Sequence, residues 1–93
     1  MRKTELFLCS LCHNGILGGG LYAEEEAFVY RTGKLTVDKK YRKLVLPYAD
    51  TASLAWKKHL PAAVIRMKNG EAYTFLIFGR KRFQRVFDER TEK

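Results

Sequence analysis

The chain has no apolar run approaching the roughly 20 residues of a membrane-spanning helix, which excludes a membrane-crossing helix among these 93 residues. Met1-Arg2-Lys3 followed by residues 6–12 loosely resembles a signal peptide. The apolar part is short, however, and runs into His13-Asn14 without a small-residue cleavage site. A cytoplasmic location is therefore expected, with peripheral membrane attachment as an option and both cysteines reduced. Histidine is scarce: there are two, and neither stands beside a Ser or Asp at a telling spacing. Asp38, Asp50 and Asp88 are isolated. With no nucleophile–base constellation in view, the chain is not expected to be an enzyme. Acidic residues are in deficit, ten against eighteen Lys and Arg, for a net charge of +8. That excess suits an anionic partner such as lipid headgroups, nucleic acid or an acidic protein face, and it equally suits a merely solvated basic surface. Repeats and low-complexity segments are absent.

What is present centres on residues 62–87, AAVIRMKNGEAYTFLIFGRKRFQRVF. Asn-Gly between apolar runs is a strong hairpin signal. A two-residue loop of Asn69 and Gly70 would place Val64, Arg66, Lys68, Tyr73, Phe75 and Ile77 on one face, a mixed set. A three-residue loop of Lys68, Asn69 and Gly70 sets Ile65 against Tyr73 and Ala63 against Phe75. Ile65, Met67, Tyr73, Phe75 and Ile77 then share an apolar face, and Arg66 and Lys68 point to water. One residue of slip flips a whole strand, so the three-residue loop is predicted, with Gly70 at positive φ. Gly79 ends the second strand. From residue 80 to 92, Phe83, Val86 and Phe87 fall at i, i+3 and i+4, a helical stripe that must dock on the sheet because so short a helix is marginal alone.

Upstream, residues 4–12 (TELFLCSLC) read as a buried strand or a short helix, which periodicity does not separate at this length. Gly18-Gly19-Gly20 sits in a strand-like run and suggests a bend or close backbone approach; a phosphate-cradling loop would need a following helix, and Leu21-Tyr22-Ala23-Glu24 is strand-like. Residues 21–23 and 27–32 flank Glu24-Glu25-Glu26 as a second hairpin, with Leu21 and Ala23 on one face and Phe28 and Tyr30 on its partner. Residues 32–43 form a basic connection. Residues 44–48 are a further strand whose Pro47 argues for an edge position or a strand end. Ala49-Asp50-Thr51 reads as a turn, and residues 53–59, with Trp56, as another strand. Residues 1–93 are read as one domain, mainly β, with six or seven short strands and one C-terminal helix.

Residues 19–30 (GGLYAEEEAFVY) resemble the opening of a GRAM-type domain of the pleckstrin-homology-like superfamily, roughly Gly-Gly-x-Leu-x-Leu-Thr, a turn and Leu-x-Phe. Leu46-Pro47 with Asp50 is similar to the family's Ile-Pro-x-x-acidic-Ile segment, residues 68–75 (KNGEAYTF) to its Asp-Gly-x-x-x-x-Phe hairpin, and residues 80–87 to its closing helix. The resemblance implies a partly open antiparallel barrel of two orthogonal sheets, plugged at one end by the helix. It also implies a binding module without a cofactor. Two positions depart from the pattern: Glu24-Glu25 replaces the usual Thr-Asn or Thr-Asp at the first turn, and Thr51 replaces the Ile after the acidic residue. Many lipid-binding relatives in the superfamily carry basic residues around the first strand–strand loop; here that loop is triple Glu, so this assignment does not carry over.

Cys9-Ser10-Leu11-Cys12-His13 spells the haem c attachment motif. Haem would require export, a second axial ligand and a mostly helical wrap; His59 or Met67 could nominally supply the ligand, but the sequence shows no export signal and the body reads as strands. A zinc site of Cys9, Cys12, His13 and His59 is a weaker alternative, because a spacing of three on a strand puts Cys9 and Cys12 on opposite faces. The preferred reading makes both thiols packing residues in a strand. No metal or cofactor is therefore expected. Arg31, Lys34, Lys39, Lys40, Arg42 and Lys43 cluster around residues 32–43 and are the candidate anion- or lipid-binding residues. The expected function is non-catalytic protein contact or self-association, with strand addition at an edge near Pro47. Acidic-lipid binding through residues 32–43 is the alternative. Nucleic acid ranks third, since Arg80, Lys81, Arg82 and Arg85 accompany no recognised reading motif.

Overall fold

The computed structural model describes residues 4–12, 16–32, 43–58 and 61–91. Seven strands run in order: β1 (Glu5–Cys12), β2 (Ile16–Ala23), β3 (Ala27–Arg31), β4 (Lys43–Pro47), β5 (Thr51–Trp56), β6 (Ala62–Met67) and β7 (Ala72–Ile77). A 3-10 turn, Tyr48–Asp50, joins β4 to β5, and one helix, α1 (Arg80–Thr91), closes the described chain. All strand pairs are antiparallel. The expected sheets are continuous, joined by β1 and β7 into one ladder of order β4-β3-β2-β1-β7-β6-β5. The architecture is mainly β, a partly open antiparallel barrel with the helix as its cap.

The β6–β7 hairpin takes the register its apolar face demands. Ile65 pairs with Tyr73 and Ala63 with Phe75. Gly70 has φ 93°, and the loop is closed by Met67 N–H on the Glu71 carbonyl at 2.8 Å and Gly70 N–H on the Met67 carbonyl at 3.0 Å. Ile65, Met67, Phe75 and Ile77 are buried, whereas Arg66 and Lys68 are exposed. The alternation in the first hairpin is equally regular: Leu21, Ala23, Phe28 and Tyr30 are all fully buried, with Leu21 opposite Tyr30 and Ala23 opposite Phe28.

The helix docks through Phe83, Val86 and Phe87, all buried. Phe83 meets the Phe7 ring edge-on at 5.0 Å and lies 5.3 Å from Phe28 and 6.1 Å from Trp56. Phe28 also stacks on Phe87 at 5.8 Å and meets Tyr48 edge-on at 4.9 Å. One helical ring thus touches strands from both halves of the sheet, and that contact closes the barrel end. Arg90 continues the stripe by one turn and is buried. Its guanidinium donates to the Glu24 carbonyl, which also accepts the Tyr48 hydroxyl at 2.6 Å. The last helical turn is therefore tied to the β2–β3 turn.

Of the two readings open for residues 4–12 the strand holds, from Glu5 onward, because β2 pairs with β1 along its full length and β7 pairs with residues 9–11. The limits of β5 differ from the sequence reading. The turn after β4 is Tyr48–Asp50, and β5 begins at Thr51 rather than Ser53. Thr51 pairs with Met67, and the register shifts between Thr51 and Ser53. Thr51 Oγ1 donates to the Pro47 carbonyl at 2.8 Å, and Lys68 N–H bonds the Asp50 carbonyl at 2.8 Å; these contacts hold Thr51 in the ladder although Asp-Thr has a turn composition. Finally, β5 ends at Trp56, whereas the sequence reading continued that strand to His59, which lies outside the described residues.

Candidate interaction site

Of the candidate basic residues, the structure brings Arg31 and Lys43 together. They end β3 and begin β4, stand directly opposite in the ladder, and are both exposed. Like charges so placed repel. Lys34, Lys39, Lys40 and Arg42 lie outside the described residues.

Register shows what surrounds that pair. Lys43 faces Arg31, Arg31 faces Gly20, and Gly20 faces Leu8. Beyond Leu8, Phe78 N–H donates to the Leu8 carbonyl at 3.3 Å. These residues make one cross-strand row on the outer side of the sheet, since Cys9 and Leu11, which alternate with Leu8, face the core. At about 5 Å per strand, Leu8 and Lys43 are roughly 14 Å apart. The neighbouring row is Val45, Val29, Tyr22 and Leu6. Leu8 is 66 % exposed, Phe78 69 %, Val45 52 % and Leu6 44 %. Leu8 stays uncovered because its β2 neighbour is Gly20. A Cβ on Gly20 would come 3.0 Å from Leu6 Cδ1, so Leu6 leans across the glycine.

The middle glycine, Gly19, has a different task. Its Cβ would lie 2.3 Å from the Arg31 carbonyl oxygen and 3.1 Å from the Tyr30 ring. Thr32 Oγ1 donates to the Gly18 carbonyl at 2.8 Å. The end of β3 therefore presses onto β2 at the glycine run, and this close approach holds Arg31 in place.

Sequence reasoning missed Leu6, Leu8 and Phe78. Residues 4–12 were apolar with few breaks, so Phe7, Cys9 and Leu11 served the core while Leu6 and Leu8 left the opposite face apolar as well. That two-sided pattern was the available signal.

Cys9 is buried and Cys12 exposed, and both are free; of the two expected packing thiols Cys9 alone packs, because a spacing of three on β1 turns Cys12 to the other face. Burial pushes the Cys9 thiol from its usual 9.0 up to about 12, which keeps it an unreactive neutral group. His13 and His59 lie outside the described residues. Among the described residues no cluster of three or more His, Cys, Asp or Glu side chains is placed to hold a metal. No helix among them is long and apolar enough to cross a membrane.

Over the described residues the fold is a seven-stranded, helix-capped antiparallel β structure. No protein-family model matches the chain, and no curated protein sequence matches it. Among solved structures it is similar to the C-terminal domain of an unknown protein from Leishmania infantum, with a TM-score of 0.80. The match covers 96 % of this chain and 83 % of that one at 9 % identity. At that identity the likeness concerns the fold alone.

Proposed function

We propose that this chain is a non-catalytic interaction module of the pleckstrin-homology-like type, acting in the cytoplasm by protein contact or self-association. The strand order, the helical cap and the GRAM-like segments support the superfamily reading. One observation carries the function: Leu6, Leu8 and Phe78 stand uncovered together on the outer side of the sheet. A contiguous exposed apolar patch on a small basic domain is the ordinary mark of a contact surface. The Pro47 edge is a poorer candidate, because Pro47 lacks an N–H and ends β4. Light scattering should show a defined oligomer, or a stable complex with a protein partner, that persists in high salt. Leu8→Glu with Phe78→Glu should return the chain to a monomer; an unchanged size distribution would refute self-association through this face.

A second reading is favoured by the Arg31–Lys43 pair in the same row as Leu8. Apolar side chains flanked by cations suit the surface of an acidic bilayer, with about 1 kcal/mol per Lys or Arg near it. On this reading the chain co-sediments with phosphatidylserine vesicles, salt abolishes the binding, and Arg31→Glu with Lys43→Glu removes it. Vesicle binding and size measured on one sample separate the two readings.

A further inference from the structure

The outer side of the sheet carries opposite charges at the two ends of β3. Val29 and Arg31 alternate along that strand and share a face, with Val45 and Lys43 directly opposite them on β4. These four residues and Glu24, Glu25 and Glu26 of the β2–β3 turn line one groove of about 390 Å³. The turn is its acidic end, the Arg31–Lys43 pair its basic end, and Val29 with Val45 its middle. Glu25, Glu26, Arg31 and Lys43 are exposed. From Glu26 to Arg31 the strand spans roughly 17 Å. Physiological salt screens charge beyond about 8 Å, so the two ends do not neutralise each other within one chain. Among the described residues neither end makes an ion pair. The middle continues across four strands as the row Val45, Val29, Tyr22 and Leu6.

A face with acid at one end, base at the other and an apolar row between them is complementary to its own copy, turned about a two-fold axis along that row. The rotation reverses strand direction and keeps strand order. We infer that two copies pack outer face to outer face about this axis, with Arg31 and Lys43 of each chain on Glu24, Glu25 and Glu26 of the other. The inference rests on the self-association reading above and adds the register to it. The apolar row packs on itself and supplies affinity; the charges fix the orientation. An axis along the strands would instead set Arg31 and Lys43 against their own copies, and like-charge repulsion disfavours that arrangement.

Sedimentation equilibrium in physiological salt is the test, and the parent is expected as a dimer. Glu25→Lys with Glu26→Lys reverses the acidic end, and Arg31→Glu with Lys43→Glu reverses the basic end. Each variant should raise the dimer dissociation constant about a hundredfold, because like charges then meet at both contacts. An equimolar mixture of the two should regain the dimer, since both contacts then join opposite charges. Net-charge repulsion alone would make the basic-end variant, a less positive chain, dimerise more readily than the parent. Lys57→Glu with Lys58→Glu makes the same change in net charge beyond the end of β5 and should leave the dimer intact. All the substituted positions are exposed, and the urea midpoint of each variant confirms that it folds. The inference is overturned by a monomeric parent, by a reversed variant that dimerises as the parent does, or by a mixture that stays monomeric. A monomeric parent removes self-association as well. Reversed variants that stay dimeric, beside a monomeric Leu8→Glu with Phe78→Glu variant, overturn the register and leave self-association standing.

Discussion

At Gly19 a single added carbon would sit 2.3 Å from the Arg31 carbonyl oxygen. Backbone on the neighbouring strand is the obstacle, so relief requires moving β3. Gly19→Ala should therefore lose about 1–3 kcal/mol of stability. The adjacent Gly18 has open space where its Cβ would go, and Gly18→Ala should stay within about 0.5 kcal/mol of the parent. Urea denaturation of the two variants side by side checks the contrast; equal losses would contradict it. That glycines in this strand mark a close backbone approach was legible in the sequence. Which of the three bears the approach was not, because it depends on where the end of β3 crosses. The cysteines show the same division. Their opposite faces follow from strand periodicity once pairing with β2 makes residues 5–12 a strand, whereas the depth of Cys9 follows from packing above it.

At the scale of the element, α1 is held by the ring contacts of Phe83 to β1, β3 and β5. Phe83→Ala should cost about 3–5 kcal/mol, as a large buried aromatic removed from a core with little room to collapse. Lys81→Ala on the exposed side of the same helix should change stability by less than about 0.5 kcal/mol. The midpoints of chemical denaturation read both directly. The stripe of Phe83, Val86 and Phe87 was visible in the sequence because helical periodicity is a local property. Arg90 extends that stripe at i+3 from Phe87, but an arginine there reads as solvated until Tyr48 and the Glu24 carbonyl are seen to converge on one point. The β6–β7 register was legible for a similar local reason, since only one loop length gathers the apolar side chains on one face. The start of β5 was not legible, because Thr51 owes its place to Met67, Pro47 and the Asp50–Lys68 bond.

For the whole molecule, stability at alkaline pH follows from protons buried in the core. The Cys9 thiol is pushed up to about 12 by burial. Burial likewise raises the fully buried Tyr30 above its usual 10.0. The folded chain therefore keeps protons that the unfolded chain releases. This contribution is fully present below about pH 9 and is lost as the pH rises toward 12. The slope from Cys9 is about 1.4 kcal/mol per pH unit across that window. Unfolding followed between pH 8 and 11 should show the decline, with a shallower slope in Cys9→Ala; identical slopes would contradict the assignment.

The sequence by itself determined the helical stripe of Phe83, Val86 and Phe87 and the three-residue loop at Lys68-Asn69-Gly70. Each depends on neighbours a few residues apart, where side-chain alternation and turn geometry act directly. Only the tertiary structure decided that Leu8, Phe78, Arg31 and Lys43 share one surface and that Trp56 of β5 lies against Arg80 and Gln84 of the helix. Those juxtapositions join segments up to 70 residues apart in the chain. They rest on strand order, which is set by the summed burial of the core and not by any local motif.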